Sequence, residues 1–339
     1  MPHRKLRLGA LSQSKTVVLL LLLAAVILIL DSQQHSAKRR CEAPHTIDRP
    51  TYLNLNTANT PTANDSILIL TLLSNDEQVL PSYFQLLHSL DYPRNRISLA
   101  FLVSDAHDNT MHTLSAHAKA LLEETEPALH YESIMVLQKD YRNVIRLRNR
   151  NIFDAQPALR AQQARKRNFL LSSTLRPQHD WVVWFDVNMV KVPSTALQDL
   201  IGLNVDIVTP NVFVPKSTNV LWGFDRRNWQ ETDESRLLQM DLIESIPLFE
   251  GFWEQTNHRL LMVDMPTNLG SLKKIPLDGV GASFTLVRAD VHRAGVNFPA
   301  YVYKHCLDSE GFALMAKDVG YQAWGLPGYI VYHRPDEQY

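Results

Sequence analysis

From residue 66 onward the chain alternates between short apolar runs and longer helix-like segments. The apolar runs are rich in β-branched residues and cover 66–73, 97–105, 132–138, 181–187 and 205–214. The helix-like segments between them cover 80–90, 108–124, 158–173 and 192–202. Strands that are apolar on both faces, alternating with helices, are typical of a parallel sheet covered on both sides. The pattern therefore predicts an α/β fold.

The last third of the chain has a different pattern. Residues 275–295 have strand character interrupted by glycines, and residues 308–320 predict a helix that ends at Gly320. A final apolar run leads into His333. No GxGxxG motif follows the first strand, which disfavours a dinucleotide-binding fold. We expect one domain over residues 66–339, parallel in its first half and mixed in its second.

The N-terminus carries an uncharged, leucine-rich run at residues 16–30, behind a basic stretch at residues 1–15. At 1.5 Å per residue this run makes only ~22 Å of helix, which is short for a bilayer. A cleaved signal peptide is the alternative. The run passes into polar residues without a convincing cleavage site, and the basic residues precede it. We predict a cytosolic tail at 1–15, a transmembrane signal anchor at 16–30 and a luminal remainder.

Residues 31–65 are polar, rich in Pro, Thr and Asn, and without periodicity, as expected of a stem. Asn64 begins an N-glycosylation sequon at the end of this stem. The only two cysteines, Cys41 and Cys306, form neither a disulfide framework nor a zinc motif. Unpaired thiols are the favoured interpretation, and a bridge between two chains through Cys41 is the alternative.

Composition narrows the class of partner. The chain has 339 residues, of which 45% are hydrophobic and 20% charged, the balance of an ordinary globular protein. Its formal net charge is −1, so no overall field attracts nucleic acid. We expect no nucleic-acid partner.

Carboxylates follow two of the predicted strands, where ligands bind in open α/β sheets. Asp105 follows the second strand, and Asp186 with Asn188 follows the fourth. A strand-end carboxylate can face a bound diphosphate through Mg²⁺ or Mn²⁺, which prefer oxygen ligands. The alternative is that Asp and Asn only cap the next turn.

Cations precede the second of these corners. Arg165 and Arg167 lie on the helix before the Asp186 strand, where they could neutralise a leaving diphosphate. A solvated basic face is the ordinary alternative. The pairing of a basic helix with a strand-end aspartate favours the functional interpretation.

Further candidates lie in the C-terminal third. Asp225 is flanked by aromatic residues, an arrangement found where sugar rings are bound and also in ordinary cores. Asp278 precedes two glycines, which would let the backbone approach a ligand closely. Glu310 lies in the last predicted helix. His333 is a good metal ligand by type, although a single strand-end histidine is usually neither ligand nor catalyst.

Taken in order, several stretches resemble the fungal mannan-polymerase mannosyltransferases of glycosyltransferase family 62. The resemblance is carried by residues 67–93, 97–110, 165–175, 180–188, 224–232, 277–299 and 309–333. It implies a GT-A fold, GDP-mannose as donor and Mn²⁺ as cofactor. It also implies retaining transfer that extends the α-1,6-mannan backbone of N-glycans in the Golgi, in a complex with related subunits.

The resemblance also implies roles for residues. Asp186 and Asn188 match the family's D-x-D motif and His333 its C-terminal histidine, and Asp225 matches an acidic residue near the donor sugar. The candidate metal ligands are therefore Asp186, Asn188 and His333. The candidate donor-binding residues are Asp105, Arg165, Arg167 and Asp278, and the candidate catalytic carboxylates are Asp225 and Glu310.

The sequence departs from the family at Asn188, where the second aspartate is expected, and at Leu72, where Thr-Pro is expected. At ~4 Å and an effective dielectric constant of about 20, the lost attraction to a metal is on the order of 4 kcal/mol before desolvation. An active mannosyltransferase remains the leading hypothesis. A weakly active or inactive scaffold subunit is the main alternative, and use of another nucleotide sugar is the third.

Overall fold

The computed structural model describes residues 65–142, 152–215 and 222–335. The strands are β1 (Ile67–Leu73), β2 (Ile97–Val103), β3 (Ser133–Gln138), β4 (Trp181–Phe185), β5 (Met189–Lys191), β6 (Ile207–Val214), β7 (Trp222–Gly223), β8 (Trp229–Gln230), β9 (Leu260–Leu261), β10 (Ile275–Leu277), β11 (Phe284–Arg288) and β12 (Ala323–His333). The α-helices are α1 (Leu80–His88), α2 (Thr110–Leu122), α3 (Gln156–Thr174), α4 (Ala196–Gly202), α5 (Asp233–Met240), α6 (Ala289–Arg293) and α7 (Asp308–Asp318).

The first half of the sheet is parallel. β1 lies between β2 and β4, and β3 flanks β2, all in parallel register. Successive residues of β1 enter two different cores, Ile67 and Ile69 on one face of the sheet and Leu68 and Leu70 on the other. Burial of both faces explains why the sequence of β1 is continuously apolar instead of alternating.

The second half of the sheet is mixed. β11 pairs antiparallel with both β4 and β6, β12 runs parallel to β6, and β10 closes the edge antiparallel to β12. The resulting order is β10-β12-β6-β11-β4-β1-β2-β3. The predicted α/β fold with a parallel first half and a mixed second half is therefore confirmed.

Strand direction determines which side chains meet. Because β11 is antiparallel to both β4 and β6, the strands β6 and β12 run in the same direction as β4. The last residue of β12, His333, consequently ends at the same edge of the sheet as Asp186, which follows β4. Pairing of His333 with Met189 of β5 brings the two ends together.

The N-terminal predictions concern residues that the structure does not describe. The anchor at 16–30, Cys41 and Asn64 all lie outside the described residues. Within the described ranges, every helix is too short or too polar to cross a membrane. Cys306 is buried and free.

Candidate active site at the carboxyl edge of the sheet

Asp186 caps the turn between β4 and β5. Its Oδ1 accepts hydrogen bonds from the backbone N–H of Asn188 at 2.9 Å and from the Asn188 side-chain amide at 3.3 Å. The Asp186 carbonyl accepts a bond from the N–H of Met189 at 3.2 Å. The turn-capping interpretation is thus correct for Oδ1, and it does not account for the second carboxylate oxygen.

His333 completes this corner. Its Nε2 lies 3.7 Å from Asp186 Oδ1, and its Nδ1 lies 2.6 Å from the carbonyl oxygen of Arg334. The ring stacks on Phe224 with 3.7 Å between centroids. Burial opposes ionisation of Asp186, but the bond and charge of His333 and the amides of Asn188 outweigh it and lower the pKa of Asp186 to about 2.

The donor set fits a hard divalent cation in part. The Arg334 carbonyl beside Nδ1 requires a proton there, so Nε2 is the nitrogen that faces Asp186. A protonated Nε2 pairs with the carboxylate, and a deprotonated Nε2 can bind a cation. One ionised carboxylate, one imidazole nitrogen and the Asn188 amide are ligands that Mn²⁺ accepts. Among the described residues, however, no group of three or more His, Cys, Asp and Glu side chains is close enough to hold a metal. We call Asp186, Asn188 and His333 the metal corner.

Asp225 is tied to the metal corner through one residue, Ser283. The Ser283 hydroxyl donates to Asp225 Oδ2 at 2.8 Å, and the Ser283 carbonyl accepts the N–H of Asp186 at 2.9 Å. Asp225 is 3% exposed, and its neighbour Phe224 is the residue that stacks on His333. A Cβ at Gly281 would lie 1.8 Å from Asp225 Oδ2, so only glycine leaves room for this carboxylate.

Beneath Asp225 lies a buried set of ion pairs between α3 and α7. Arg160 pairs with Glu310 and Arg167 with Asp308, both in close contact. The two arginines are seven residues apart, which puts them on one face of α3. We call these residues, with Asp225 and Arg227, the ion-pair network; its members are Arg160, Arg167, Arg227, Asp225, Asp308 and Glu310.

Arg227 joins the two parts of the network. Its Nε lies 3.4 Å from Asp225 Oδ1, and its Nη1 lies 3.9 Å from Asp308 Oδ2. Burial lowers the pKa of Arg227, but the charges of Asp225, Asp308 and Glu310 outweigh that effect and raise it. For Arg160 the balance is reversed, because burial lowers its pKa by more than Glu310 raises it. Three carboxylates thus face three guanidinium groups, and the network is neutral as a whole.

Glu310 is enclosed by this network. One carboxylate oxygen contacts Arg160 and the other accepts the indole N–H of Trp229 at 2.8 Å. The residue is 1% exposed. Glu310 therefore orients its neighbours, and a substrate hydroxyl does not reach it in this arrangement.

Asp105 occupies a separate position at the same edge of the sheet, after β2. Its Oδ1 accepts the N–H of Tyr141 at 2.9 Å, and its Oδ2 lies 3.3 Å from Lys166 Nζ. Its backbone has φ of 52°, a left-handed conformation that is costly outside glycine, asparagine and aspartate. Arg165, in contrast, is exposed on α3 and its side chain joins neither Asp105 nor the ion-pair network.

Asp278 is not part of the metal corner or of the ion-pair network. Its carboxylate accepts the N–H of Glu231 at 2.8 Å and contacts Lys317 of α7. Contrary to the expectation from the sequence, the two glycines that follow it do not leave room for a ligand. Cβ atoms there would collide with Trp229 and Asp225, so the glycines make space for the protein's own side chains.

Sequence reasoning did not select four members of the site, Arg160, Arg227, Asp308 and Ser283. The seven-residue spacing of Arg160 and Arg167, which puts both on one helix face, was a signal that could have found the first. Asp308 follows the N-terminal cap of α7, where a carboxylate is favoured in any helix, so it carried no distinctive signal. Ser283 acts through a strand contact that only the fold reveals.

Comparison with known proteins gives the family. A family model described as Anp1 matches residues 51–302. The anp1 subunit of the mannan polymerase II complex from Schizosaccharomyces pombe is 34% identical over 275 residues, 79% of this chain and 64% of that protein. The mannan polymerase complex subunit MNN9 from Candida albicans is 34% identical over 293 residues, 83% of this chain and 78% of that protein.

Other relatives are longer, and solved structures are more distant. The chain spans 55% of the ANP1 subunit from Saccharomyces cerevisiae, at 32% identity. A mannosyltransferase from Pyrobaculum calidifontis in complex with GDP-Man and Mn²⁺ has a TM-score of 0.46 at 14% identity, covering 84% of this chain and 61% of that one. Similarity at this level adds no argument about function. The match of the family model and the relatives at 34% identity confirm the resemblance seen in the sequence, and the chain belongs to the Anp1 family.

Proposed function

We propose that this protein is a GT-A-type glycosyltransferase that moves mannose from GDP-mannose to a mannosyl N-glycan acceptor. The transfer retains the anomeric configuration and extends an α-1,6-linked mannan backbone. Membership of the Anp1 family supports the proposal, because the relatives are named as subunits of mannan polymerase complexes.

One observation carries the proposal. Ser283 joins the carboxylate of Asp225 to the backbone of Asp186, so that a candidate sugar-binding carboxylate and a candidate metal corner share one strand end. In open α/β sheets this carboxyl edge is where ligands bind. A diphosphate at the metal corner would place its attached sugar toward Asp225.

In the reaction, the bond between mannose C1 and the donor phosphate breaks and a bond from an acceptor hydroxyl oxygen to C1 forms on the same face. The acceptor proton passes to the leaving phosphate or to a nearby carboxylate. Asp225 faces the positive charge that develops at C1 and is held in place by Ser283 and Arg227. Glu310 acts as a positioning residue for Arg160 and Trp229.

Asp186, His333 and Asn188 would hold Mn²⁺, which when bound supplies positive charge against the leaving diphosphate. The low pKa of Asp186 keeps that ligand ionised at any physiological pH. The Asn188 amide contributes no charge, so metal binding by this corner is weaker than by a pair of aspartates.

We further propose that the protein is a single-pass Golgi or ER/Golgi membrane protein whose catalytic domain is luminal. The apolar run at residues 16–30 and the polar stem at 31–65 support this arrangement. Related mannosyltransferase subunits are the proposed partners, because the relatives carry the names of complex subunits.

The test is calorimetric titration of the purified full-length protein with GDP-mannose, with and without Mn²⁺. We expect Mn²⁺-dependent binding, competition by GDP but not UDP, and transfer to a mannosyl oligosaccharide. Competition by UDP in place of GDP would replace the proposed donor with another nucleotide sugar. The absence of any nucleotide-sugar binding would overturn the proposal.

A specific observation favours a second function. Because Asn188 replaces a charged ligand at the metal corner, the protein could keep the fold as a scaffold subunit without turnover. The scaffold function predicts GDP-mannose binding that ignores Mn²⁺, or no binding, and no transfer under either condition. The same titration therefore separates the two.

A further inference from the structure

The three arginines of the ion-pair network are held differently. Arg160 and Arg167 each make a close ion pair, and their side chains are 10% exposed. The Arg227 side chain is 28% exposed, and its nearest carboxylate oxygens lie at 3.4 Å and 3.9 Å. Among the described residues, its two terminal nitrogens make no hydrogen bond. Arg227 is therefore the network cation with donors left over and access to solvent.

We propose that Arg227 binds the diphosphate of the nucleotide donor, an inference that rests on the proposed function. A guanidinium group offers two parallel N–H donors that match phosphate oxygens, and such charge-assisted bonds are the strong ones. Arg227 follows Asp225 by two residues and Phe224, which stacks on His333, by three. It contacts Asp225, which Ser283 ties to Asp186, and lies 3.9 Å from Asp308.

The other candidate cations fit this role less well. Arg167 is committed to Asp308 in a buried pair, and withdrawing it would leave that carboxylate without its close partner. Arg165 is two residues away from Arg167 on α3, about 200° around the helix, so it faces away from the network. Because the metal corner holds one carboxylate charge only, it binds Mn²⁺ more weakly than a pair of aspartates would, so more of the positive charge at the diphosphate has to come from the protein.

Binding of a diphosphate by Arg227 would also change Asp225. In the free protein Arg227 Nε and its backbone N–H both lie near Asp225 Oδ1, at 3.4 and 3.3 Å. When the guanidinium turns to the phosphates, Ser283 still holds Oδ2 and Oδ1 becomes available to a sugar hydroxyl. Donor binding would then leave Asp225 Oδ1 available to accept a hydrogen bond from the sugar.

The experiment measures GDP, GMP and guanosine binding by calorimetry in the full-length protein and in Arg227→Gln, Arg227→Lys and Arg226→Gln. Arg226 is the matched control, because it is the adjacent arginine and is exposed. For Arg227→Gln we expect GDP affinity to fall roughly ten- to hundredfold, with guanosine affinity unchanged. Arg227→Lys keeps the charge but not the paired donors, so its GDP affinity should lie in between.

The outcomes separate the inference from the function on which it rests. If the wild-type protein binds GDP and Arg227→Gln binds it equally well, the inference is overturned and the proposed function stands. If the wild-type protein binds no GDP, both are overturned. If Arg227→Gln does not fold because Asp225 and Asp308 lose a partner, Arg227→Lys decides: GDP affinity equal to wild type overturns the inference, and a loss confined to GDP supports it.

Discussion

The metal corner and the ion-pair network use the same kinds of side chain under opposite conditions. In the metal corner, the Asp186 side chain is 39% exposed and is satisfied by amide groups and one imidazole. In the network, Asp308 and Glu310 are each 1% exposed and face guanidinium groups. A charge can be added or removed at the metal corner, because water can solvate it there, but not in the buried ion-pair network.

This difference explains how the chain can fold with Asn188 at the position where the resemblance implies a second aspartate. A change at the metal corner mainly alters ligand affinity, because solvent and neighbouring amides stabilise the altered charge. A change in the network leaves a buried charge without its partner, which affects folding itself. The network is thus the part of the candidate site that constrains the fold, and the metal corner is the part on which the proposed chemistry depends.

The largest expected effect follows from breaking a buried pair. Arg167→Met leaves Asp308 without its close partner, and we expect a loss of about 3–5 kcal/mol in the free energy of unfolding. Chemical denaturation measures it. Arg165→Met is the matched control on the same helix, and we expect a change within about 0.5 kcal/mol because Arg165 is exposed.

A double variant distinguishes charge from packing in this prediction. Arg167→Met combined with Asp308→Asn removes both charges, and asparagine tolerates the φ of 52° at this position. We expect the double variant to be more stable than Arg167→Met alone. A double variant as unstable as the single one would show that packing, not the unpaired charge, causes the loss.

Asp225 belongs to the network and is linked to the metal corner through Ser283, so its replacement should separate function from folding. For Asp225→Asn we expect transfer to fall by at least about a hundredfold, as for loss of a group that acts at the reacting atoms. Ser283 can still donate to the remaining oxygen, so the loss of stability should be small compared with Arg167→Met. Transfer assays and unfolding curves of Asp225→Asn and of the exposed control Asp241→Asn measure both. Near-normal turnover in Asp225→Asn would remove Asp225 from the site.

The carboxylate of the metal corner and a buried histidine outside both regions, His292, should respond differently to pH. His292 packs against Phe298 and Phe312 of α7, and burial lowers its pKa to about 4 despite its bond to the Val296 carbonyl. Because this value is below the ordinary 6.5, the unfolded chain takes up the proton first, and stability falls as pH drops from about 6.5 to 4. We expect a loss of about 1.5 kcal/mol between pH 6.5 and pH 5 from this histidine.

The carboxylate of Asp186 should contribute nothing in that range. The pKa of Asp186, about 2, means that its stabilising charge is lost only as pH falls below about 4. The measurement is the free energy of unfolding at each pH in the wild-type protein and in His292→Phe, where the slope should be reduced. An unchanged slope in His292→Phe would show that other groups cause the pH dependence.

The sequence predicted the strands well because their burial on both faces leaves an uninterrupted apolar run, as in β1 and β4. It also predicted that Asp186 and His333 meet, but only through the family resemblance, since no local pattern relates residues so far apart. It could not reveal that Glu310 and Arg167 are enclosed. Whether a charged residue is exposed depends on which helices pack together, here α3 against α7, and that is a property of the whole fold.

The smallest expected effect concerns Asn188, where the resemblance implies a second aspartate. Asn188→Asp adds a negative charge at the metal corner, and we expect Mn²⁺ to bind at least about tenfold more tightly. The same change removes the amide that donates to Asp186 at 3.3 Å and sets two carboxylates side by side. Without Mn²⁺ the variant should therefore unfold at a lower temperature than the wild-type protein, and with Mn²⁺ the order should reverse.

Asn188→Ala is the control for this last prediction, because it removes the amide bond without adding charge. It should lower the unfolding temperature and gain no affinity for Mn²⁺. If Asn188→Asp binds Mn²⁺ no better than the wild-type protein, Asp186 and His333 do not form a metal site. If affinity rises and transfer rises with it, the asparagine limits a working enzyme. If the affinity for Mn²⁺ rises and transfer does not appear, the variant binds the metal but other parts of the protein do not support catalysis. That outcome favours the scaffold function.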